Sequence, residues 1–415
     1  MANKRIVFVE PSFYGVSFVK EAKALGSDVV VIASSKDNPT LYGYEGLYDD
    51  LLVADIRDAD SIYEAIVNSP YHGQFQALIP ATDYASAVTA EVGERLGIPG
   101  TSADAALNAR NKDRARQVFA QQQVPSAQFA VVSQLDEALT AAAEIGYPVV
   151  LKPTNAASSQ GVYFVEDEQN LRHAFAELRA FKTTYMDFKV RDEYLLEEYL
   201  TGPEFSVEIF LDEGEIAFAE ITEKHTSDLP YFVETLHVFP SSIYQEQRHE
   251  MIHVARQAVV AIGIQNGPAH VELKYTQAGA KIIEVNGRPG GDNITSDLIV
   301  NAYGIHVFRE TIRKYLSQPL QIDKQQIQAS AIGYLVADRK GLVGSITGLE
   351  HLEHPQITRY QIQVQEGDSV DIARSSDDRL GYIIVQADTP EAARDLAKEF
   401  VSRIEISYAE VEEVV

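Results

Sequence analysis

The first hundred residues alternate short apolar runs with longer stretches that carry apolar residues at helical spacing. Ile6-Val7-Phe8-Val9, Val29-Val30-Val31-Ile32, Leu51-Leu52-Val53 and Ala77-Leu78-Ile79-Pro80 have the length and continuity of strands buried on both faces. Between the first two, Val16 to Leu25 reads as a helix that ends at Gly26. This alternation predicts a doubly wound parallel sheet. Ligands in such sheets lie beyond the carboxyl ends of the strands, which marks Ala81-Thr82-Asp83-Tyr84 as a candidate substrate lining. Asp83 equally suits the N-cap of the next helix. The first strand-to-helix turn, Glu10-Pro11-Ser12-Phe13-Tyr14-Gly15, lacks the three-glycine dinucleotide fingerprint, which disfavours a nicotinamide enzyme.

The pattern changes after Leu96-Gly97-Ile98-Pro99-Gly100. Asn111-Lys112-Asp113 opens a helix that runs to Val124-Pro125, and a lysine at a helix start gains nothing from the helix dipole. An anionic ligand accounts for Lys112, as does simple solvation. Tyr147 to Pro153, Thr154 to Gly161 and Val162 to Val165 then read as strand, small-residue loop and strand. Small side chains let backbone N–H groups approach a phosphate, and Ser158 and Ser159 add hydroxyl donors. Lys152 stands where the strand enters this loop, within reach of the same anion. The loop is not a Walker P-loop. Farther on, Tyr194 to Leu200 and Phe205 to Phe210 flank a turn at Thr201-Gly202-Pro203-Glu204, whose backbone groups suit a planar base and whose Glu204 suits ribose hydroxyls. Glu223-Lys224-His225-Thr226 reads as a loop with a basic pair, His225 being either a surface histidine or a group near the phosphates.

Two runs of period-2 alternation flank Gln277-Ala278-Gly279, with Gly279 where a hairpin needs a left-handed residue. Centring the hairpin on Ala278 pairs Thr276 with Ala280, Lys274 with Ile282, Glu272 with Glu284 and His270 with Asn286, all on one face. Two carboxylates directly opposite each other destabilise a sheet and ask for a cation between them. Oxygen donors of this kind suit Mg²⁺, which takes one or two carboxylates with phosphate and water. The carboxylate pair alone equally suits an amphipathic hairpin with a solvated acidic face; Asn286 and Arg288 in the same tract favour the metal-phosphate site. Arg288, just beyond, is placed to hold a phosphoryl group or an oxyanion.

From Ala329 the runs Ala331 to Val336 and Gly381 to Val385, followed by a capped helix from Thr389 to Phe400, suggest a small α+β module that closes over the nucleotide part and contributes Arg379. The 415 residues suffice for two to four domains. We divide them into residues 1–108 (amino-terminal α/β), 109–192 (central, with the loop), 193–325 (metal and substrate side) and 326–415 (C-terminal α+β). With 35 Lys+Arg against 61 Asp+Glu the formal net charge is -26, unsuited to non-specific contact with nucleic acid or anionic membrane. No Cys is present, which excludes disulfides, thiolate metal sites and Cys nucleophiles. The Met1-Ala2-Asn3-Lys4-Arg5 start leads into an apolar run too short for a signal peptide, and no run approaches membrane-span length, so the cytoplasm is the expected compartment.

Taken in order, Asn111-Lys112-Asp113, Leu151-Lys152-Pro153, Ser158-Ser159-Gln160-Gly161-Val162, Glu197-Glu198-Tyr199-Leu200 with Glu204, Glu272, and Glu284-Val285-Asn286-Gly287-Arg288-Pro289-Gly290 resemble the ATP-grasp superfamily. The resemblance implies an ATP-grasp fold and ATP as substrate, with Mg²⁺ or Mn²⁺. Lys112 and Lys152 then match the phosphate lysines, and Ser158, Ser159, Gln160 and Gly161 the covering loop. Glu197, Glu198, Tyr199 and Leu200 match the adenine hinge, and Glu204 the ribose ligand. Glu272, Glu284 and Asn286 match the metal ligands, and Arg288 the residue that steadies the transferred phosphoryl group. Gly290 and Gly291 amides join Arg288 as candidate oxyanion donors, and the base is His225, Glu272 or a substrate phosphate oxygen, among which the sequence does not choose. The Arg288-Pro289-Gly290-Gly291-Asp292 tract and the chain length look like the L-amino-acid ligases, which join two amino acids through an acyl phosphate. Many such relatives are homodimers. Biotin carboxylases and purine-pathway carboxylate ligases share the nucleotide site and stand as alternatives. A non-catalytic nucleotide-binding module is a third reading.

Overall fold

The computed structural model describes residues 4–184 and 187–409; Met1-Ala2-Asn3, part of the amino-terminal reading above, lies outside them. The four apolar runs form one parallel sheet in the order Asp50–Val53, Asp28–Ala33, Arg5–Val9, Phe75–Pro80. Alternation along Arg5–Val9 sends Ile6 and Phe8 into a core with Phe18, Val19 and Ala22 of the helix Val16–Ala24. Val7 and Val9 face the opposite way, into a core with Ile62 and Ile66 of the helix Ala59–Val67. Helices on both faces make the sheet doubly wound, as the sequence predicts. The strand order reverses between Arg5–Val9 and Phe75–Pro80, so the crevice at this switch point lies beside Glu10, Thr82 and Asp83.

Glu10 occupies that point with φ 69 and is fully buried. Its carboxyl accepts from the Thr82 hydroxyl and from the Ala85 N–H at 2.7 Å. Burial pushes it up to about 7 from an ordinary 4.5, so folding favours the protonated acid. Its contribution to stability is therefore complete below about 4.5 and is lost as pH rises through about 7. A Glu10→Gln protein has no such group to ionise. Urea unfolding of both proteins between pH 4.5 and 8 should show the variant gaining about 3 kcal/mol relative to the parent across that range. Parallel stability curves would show that Glu10 does not titrate in this interval.

A second, antiparallel sheet runs Phe129–Val132, Tyr194–Glu198, Val149–Pro153, Tyr163–Val165. The helices Leu135–Ile145 and Glu168–Ala180 share its core, through Ala138, Ala142, Leu171 and Phe175 against Val149, Leu151 and Leu196. The largest sheet has eight antiparallel strands, in the order Gly279–Asn286, Gly267–Thr276, Glu204–Asp212, Glu215–Thr226, Glu234–Phe239, Ala329–Leu335, Gly381–Ala387, Ile357–Ile362. The helix Gln245–Ala261 buries Met251, Val254, Ala255, Ala258 and Val259 against its first strands.

Two features differ from the sequence reading. Glu223 to Thr226 is not a loop but the end of the 12-residue strand Glu215–Thr226. Its apolar run, Ile216 to Ala219, lies in the first half, and beyond it Glu220, Thr222 and Lys224 alternate as a polar face that hides the rest of the strand. The C-terminal residues have the two expected strands and the helix Pro390–Arg403, capped by Thr389, yet those strands, with a third at Ile357–Ile362 that the sequence reading did not name, make no separate sheet. They continue the large one, pairing Ala329–Leu335 with Glu234–Phe239 and covering an edge that would otherwise be open. Among the described residues no helix is long and apolar enough to cross a membrane.

Candidate active site

The hairpin that anchors the site pairs His270 with Asn286 and Glu272 with Glu284, as its alternation predicts. Nearer the turn the register differs: Thr276 pairs with Gly279, Tyr275 with Ala280 and Lys274 with Lys281. The turn holds two residues, closed by the Thr276 hydroxyl, which donates to the Gly279 carbonyl at 2.8 Å and accepts from the Ala278 N–H. Gly279 does take a left-handed φ of 93. A bulge between Glu272 and Leu273, where Ile283 is the extra residue, then restores the predicted partners at the functional end.

The polar face continues onto the neighbouring strands. Glu208 lies opposite His270, Ser206 opposite Glu272, and Glu204 between Lys274 and Lys224. Together with the small antiparallel sheet, this face encloses a cavity. Lining it are Lys112, Lys152, Ser158, Ser159, Gln160, Glu197, Glu198, Tyr199, Leu200, Glu204, Glu272, Glu284, Asn286 and Arg288. Most of the residues singled out from the sequence thus meet in one place.

Charges in and beside the cavity are matched in small clusters of opposite sign. Lys112, first residue of the helix Lys112–Gln122, reaches Glu284 at 2.9 Å and donates to the Ala156 carbonyl at 2.8 Å. Lys152 and Arg116 both ion-pair with the buried Glu197. Burial pushes the Glu197 carboxyl up, but the two cations outweigh it and hold the group below its ordinary value. Lys224 is buried among Glu272 at 3.2 Å, Glu204 at 3.3 Å and Glu234 at 3.7 Å. Burial raises Glu272, yet Lys224 and His270 overcome this and keep it well below the carboxylate range. Glu234 goes the other way: burial lifts it to about 7 in spite of Lys224. His270 faces Glu208 through Nδ1 at 2.9 Å and Glu272 through Nε2 at 3.2 Å. Burial alone would lower it, but Glu208 and Glu272 raise it to about 9, so the charged ring donates to both carboxylates.

Several predicted residues stand elsewhere. His225 is next to Lys224 on the strand and so turns to the other face, where Nε2 meets Glu223 at 2.6 Å; it does not line the cavity. Gly161 packs under the loop, where an added Cβ would lie 3.1 Å from Leu178 and 3.2 Å from Phe181. Gly290 lies against the Glu208–His270 pair, an added Cβ meeting Glu208 Oε2 at 2.6 Å, and Gly291 lies beside Tyr14. Asp83 does not cap the helix Ser86–Leu96, whose N-cap is Ala85. It is buried between Arg288, 3.8 Å away, and Arg110, 4.0 Å away. Arg379 pairs with Asp292 through two contacts of 2.7 and 3.0 Å.

The sequence reading gave no site role to Arg116, Lys224, Glu234 or His237, and placed Lys224 in a loop. His237 is buried, with Nε2 3.1 Å from Asp292. Lys224 and His237 are cross-strand partners, so recognising the Glu220, Thr222, Lys224 alternation as a strand would have brought both to the cavity face.

Glu272, Glu284 and Asn286 present three oxygen-bearing side chains from one end of the hairpin, a donor set that fits Mg²⁺. Among the described residues no three His, Asp or Glu side chains converge on a metal position, so phosphate oxygens and water would complete the coordination.

Comparison with known proteins agrees with this geometry. Residues 19–100 match the ATP-grasp N-terminal domain, residues 145–297 the ATP-grasp domain, and residues 333–409 the L-amino acid ligase C-terminal domain 2. The chain belongs to the ATP-grasp superfamily. An L-amino acid ligase from Bacillus licheniformis shares the ATP-grasp fold along its whole length, with a TM-score of 0.82, 21% identity and coverage of 99% of this chain and 100% of that one. Alanine–anticapsin ligase of Bacillus subtilis (strain 168) is 30% identical over 251 residues, 54% of this chain and 53% of that one. This chain thus spans about half the length of that ligase. An uncharacterized protein of Sinorhizobium fredii is 27% identical over 98% of this chain and 83% of its own.

Proposed function

We propose that this ATP-grasp ligase joins two unprotected L-amino acids. One carboxylate attacks the γ-phosphorus of ATP, ADP leaves, and the amino group of the second amino acid displaces phosphate from the acyl phosphate, losing a proton as the amide forms. The observation that carries this reading over a carboxylase is the match of residues 333–409 to an L-amino acid ligase domain, in a chain whose cavity collects Lys112, Lys152 and a carboxylate pair.

The residues divide the work by charge. A carboxylate and a triphosphate repel each other, so the site must supply cations where they meet. Lys112 and Lys152 would exchange their carboxylate partners for phosphate oxygens. Glu272, Glu284 and Asn286 would hold Mg²⁺, which supplies charge neutralisation and orientation of the phosphates. Arg288, held by Asp83 on one side and open to the cavity on the other, would steady the transferring phosphoryl group and the oxyanion of amide formation. Backbone at Glu198 and Leu200 would receive the adenine, and Glu204 the ribose. Glu234, poised near neutrality, is better suited than His225 to take the proton of the attacking amine.

Phosphate release with ATP and Mg²⁺, measured for all pairs of the twenty L-amino acids with mass spectrometry of the products, tests this. Dipeptide masses from particular pairs are expected. Turnover that ignores amino acids but requires bicarbonate with biotin or an aminoimidazole would replace the reading by a carboxylase. Nucleotide binding without any turnover would leave a binding module.

A further inference from the structure

The loop that would cover the phosphates does not hold its shape alone. Ser158 and Ser159 are left-handed, with φ 55 and 57, followed by Gly161 at 69. Consecutive non-glycine residues in that region persist only where surrounding contacts fix them. Here those contacts come from a distant turn, Ser375 to Arg379, in the C-terminal part of the chain. Gln160 Nε2 donates to Asp377 Oδ2 at 2.7 Å, the Ser158 side chain bonds to the same carboxylate, and the Ser376 N–H donates to the Ser158 carbonyl at 3.4 Å.

The turn is rigid in its own right. Asp378 accepts from the Arg374 and Ser375 N–H groups, each at 2.9 Å, closing a capping box. Its other side touches the substrate region: the Ser376 hydroxyl donates to the Glu234 carboxylate, and Arg379, whose Nε donates to the Ser376 carbonyl at 2.7 Å, grips Asp292. One five-residue segment therefore contacts the loop, the carboxyl beside Lys224 and the end of the Arg288 tract.

We infer that Asp377 is a positioning residue that holds the phosphate loop shut through Gln160 and Ser158, with its turn coupling that closure to Glu234 and Asp292. This rests on the nucleotide reading of the loop given above. Its consequence is efficiency: a loop released early admits water, and the acyl phosphate hydrolyses before the amine attacks.

The test compares the full-length parent with Asp377→Ala, Asp377→Asn and Gln160→Ala. Two quantities are read: ADP formed per amide bond, and hydrogen exchange at residues 156–161 with and without AMP-PNP and Mg²⁺. In the parent, AMP-PNP should slow exchange in the loop and the ADP ratio should be close to one. In Asp377→Ala and Gln160→Ala that slowing should be largely lost and the ratio should rise about tenfold or more, the scale of one hydrogen bond to a charged group. Asp377→Asn, which keeps an acceptor for Gln160, should recover most of both. Gln160 lies in the loop, outside the folded cores, so its variant separates positioning from misfolding. Parent-like exchange and ADP ratios in both alanine variants, with AMP-PNP still protecting the parent, would overturn the inference and leave the nucleotide reading standing. No effect of AMP-PNP on the parent would overturn both.

Discussion

In an Arg288→Ala protein, turnover should fall by about two to three orders of magnitude, the scale of losing one preorganised transition-state donor, while nucleotide affinity changes by less than about threefold. The side chain lines the cavity and makes one internal hydrogen bond, Nη1 to the Pro289 carbonyl at 2.9 Å. Its approach to Asp83 is 3.8 Å, and Asp83 keeps Arg110 on its other side when Arg288 is gone. No buried charge is orphaned, so the variant should unfold at the same urea concentration as the parent. Lysine should not substitute, because a point charge lacks the planar fork that grips phosphoryl and carboxylate oxygens together. Steady-state kinetics beside nucleotide titration would decide it. A turnover number within tenfold of the parent would remove Arg288 from the chemistry.

Lys224→Met should behave in the opposite way and lose stability as well as activity. The ammonium is the shared partner of Glu272, Glu204 and Glu234, at 3.2, 3.3 and 3.7 Å. Removing one member of a buried ionic group leaves its partners uncompensated, which costs about 3–5 kcal/mol. Urea unfolding should show a loss of that size at pH 7. Adding Glu234→Gln should return part of it, because Glu234 is the carboxyl that burial already drives toward protonation. Additive losses in the double variant would mean that Lys224 and Glu234 do not act as a unit.

The contrast between these residues also explains what the sequence disclosed. Arg288 was legible because it follows the Glu284, Asn286 alternation of a hairpin whose turn is marked by Gly279, and period-2 arithmetic carried Glu272 and Glu284 to opposite positions. The same arithmetic slipped by one residue nearer the turn, because the bulge at Ile283 has no signature in residue type. Lys224 was not legible. Its strand has a polar face that looks like a loop until that face is known to be buried among carboxylates, and the partners that make the lysine necessary lie on three other strands. The parallel sheet of the first hundred residues read correctly because its inner strands Arg5–Val9 and Asp28–Ala33 are buried on both faces and the helix Val16–Ala24 declares its stripe, whereas the half-exposed edge strand Asp50–Val53 was carried by its apolar run alone. Asp377 is the extreme case: its two partners are more than two hundred residues away, and nothing local distinguishes it from Asp378 beside it.

The unbroken eight-stranded sheet bears on how such enzymes can be recombined. A chimaera that exchanges residues after about 326 for those of a relative does not swap a detachable cap. The junction falls across the ladder between Glu234–Phe239 and Ala329–Leu335, so the donor segment must bring compatible spacing and side-chain volume for Leu236 and Val238, which sit in the core it shares. Grafts chosen by substrate preference alone would fail at that seam. Those that carry the Glu234–Phe239 strand along with the tail would bring both sides of it, and with them Glu234 and His237.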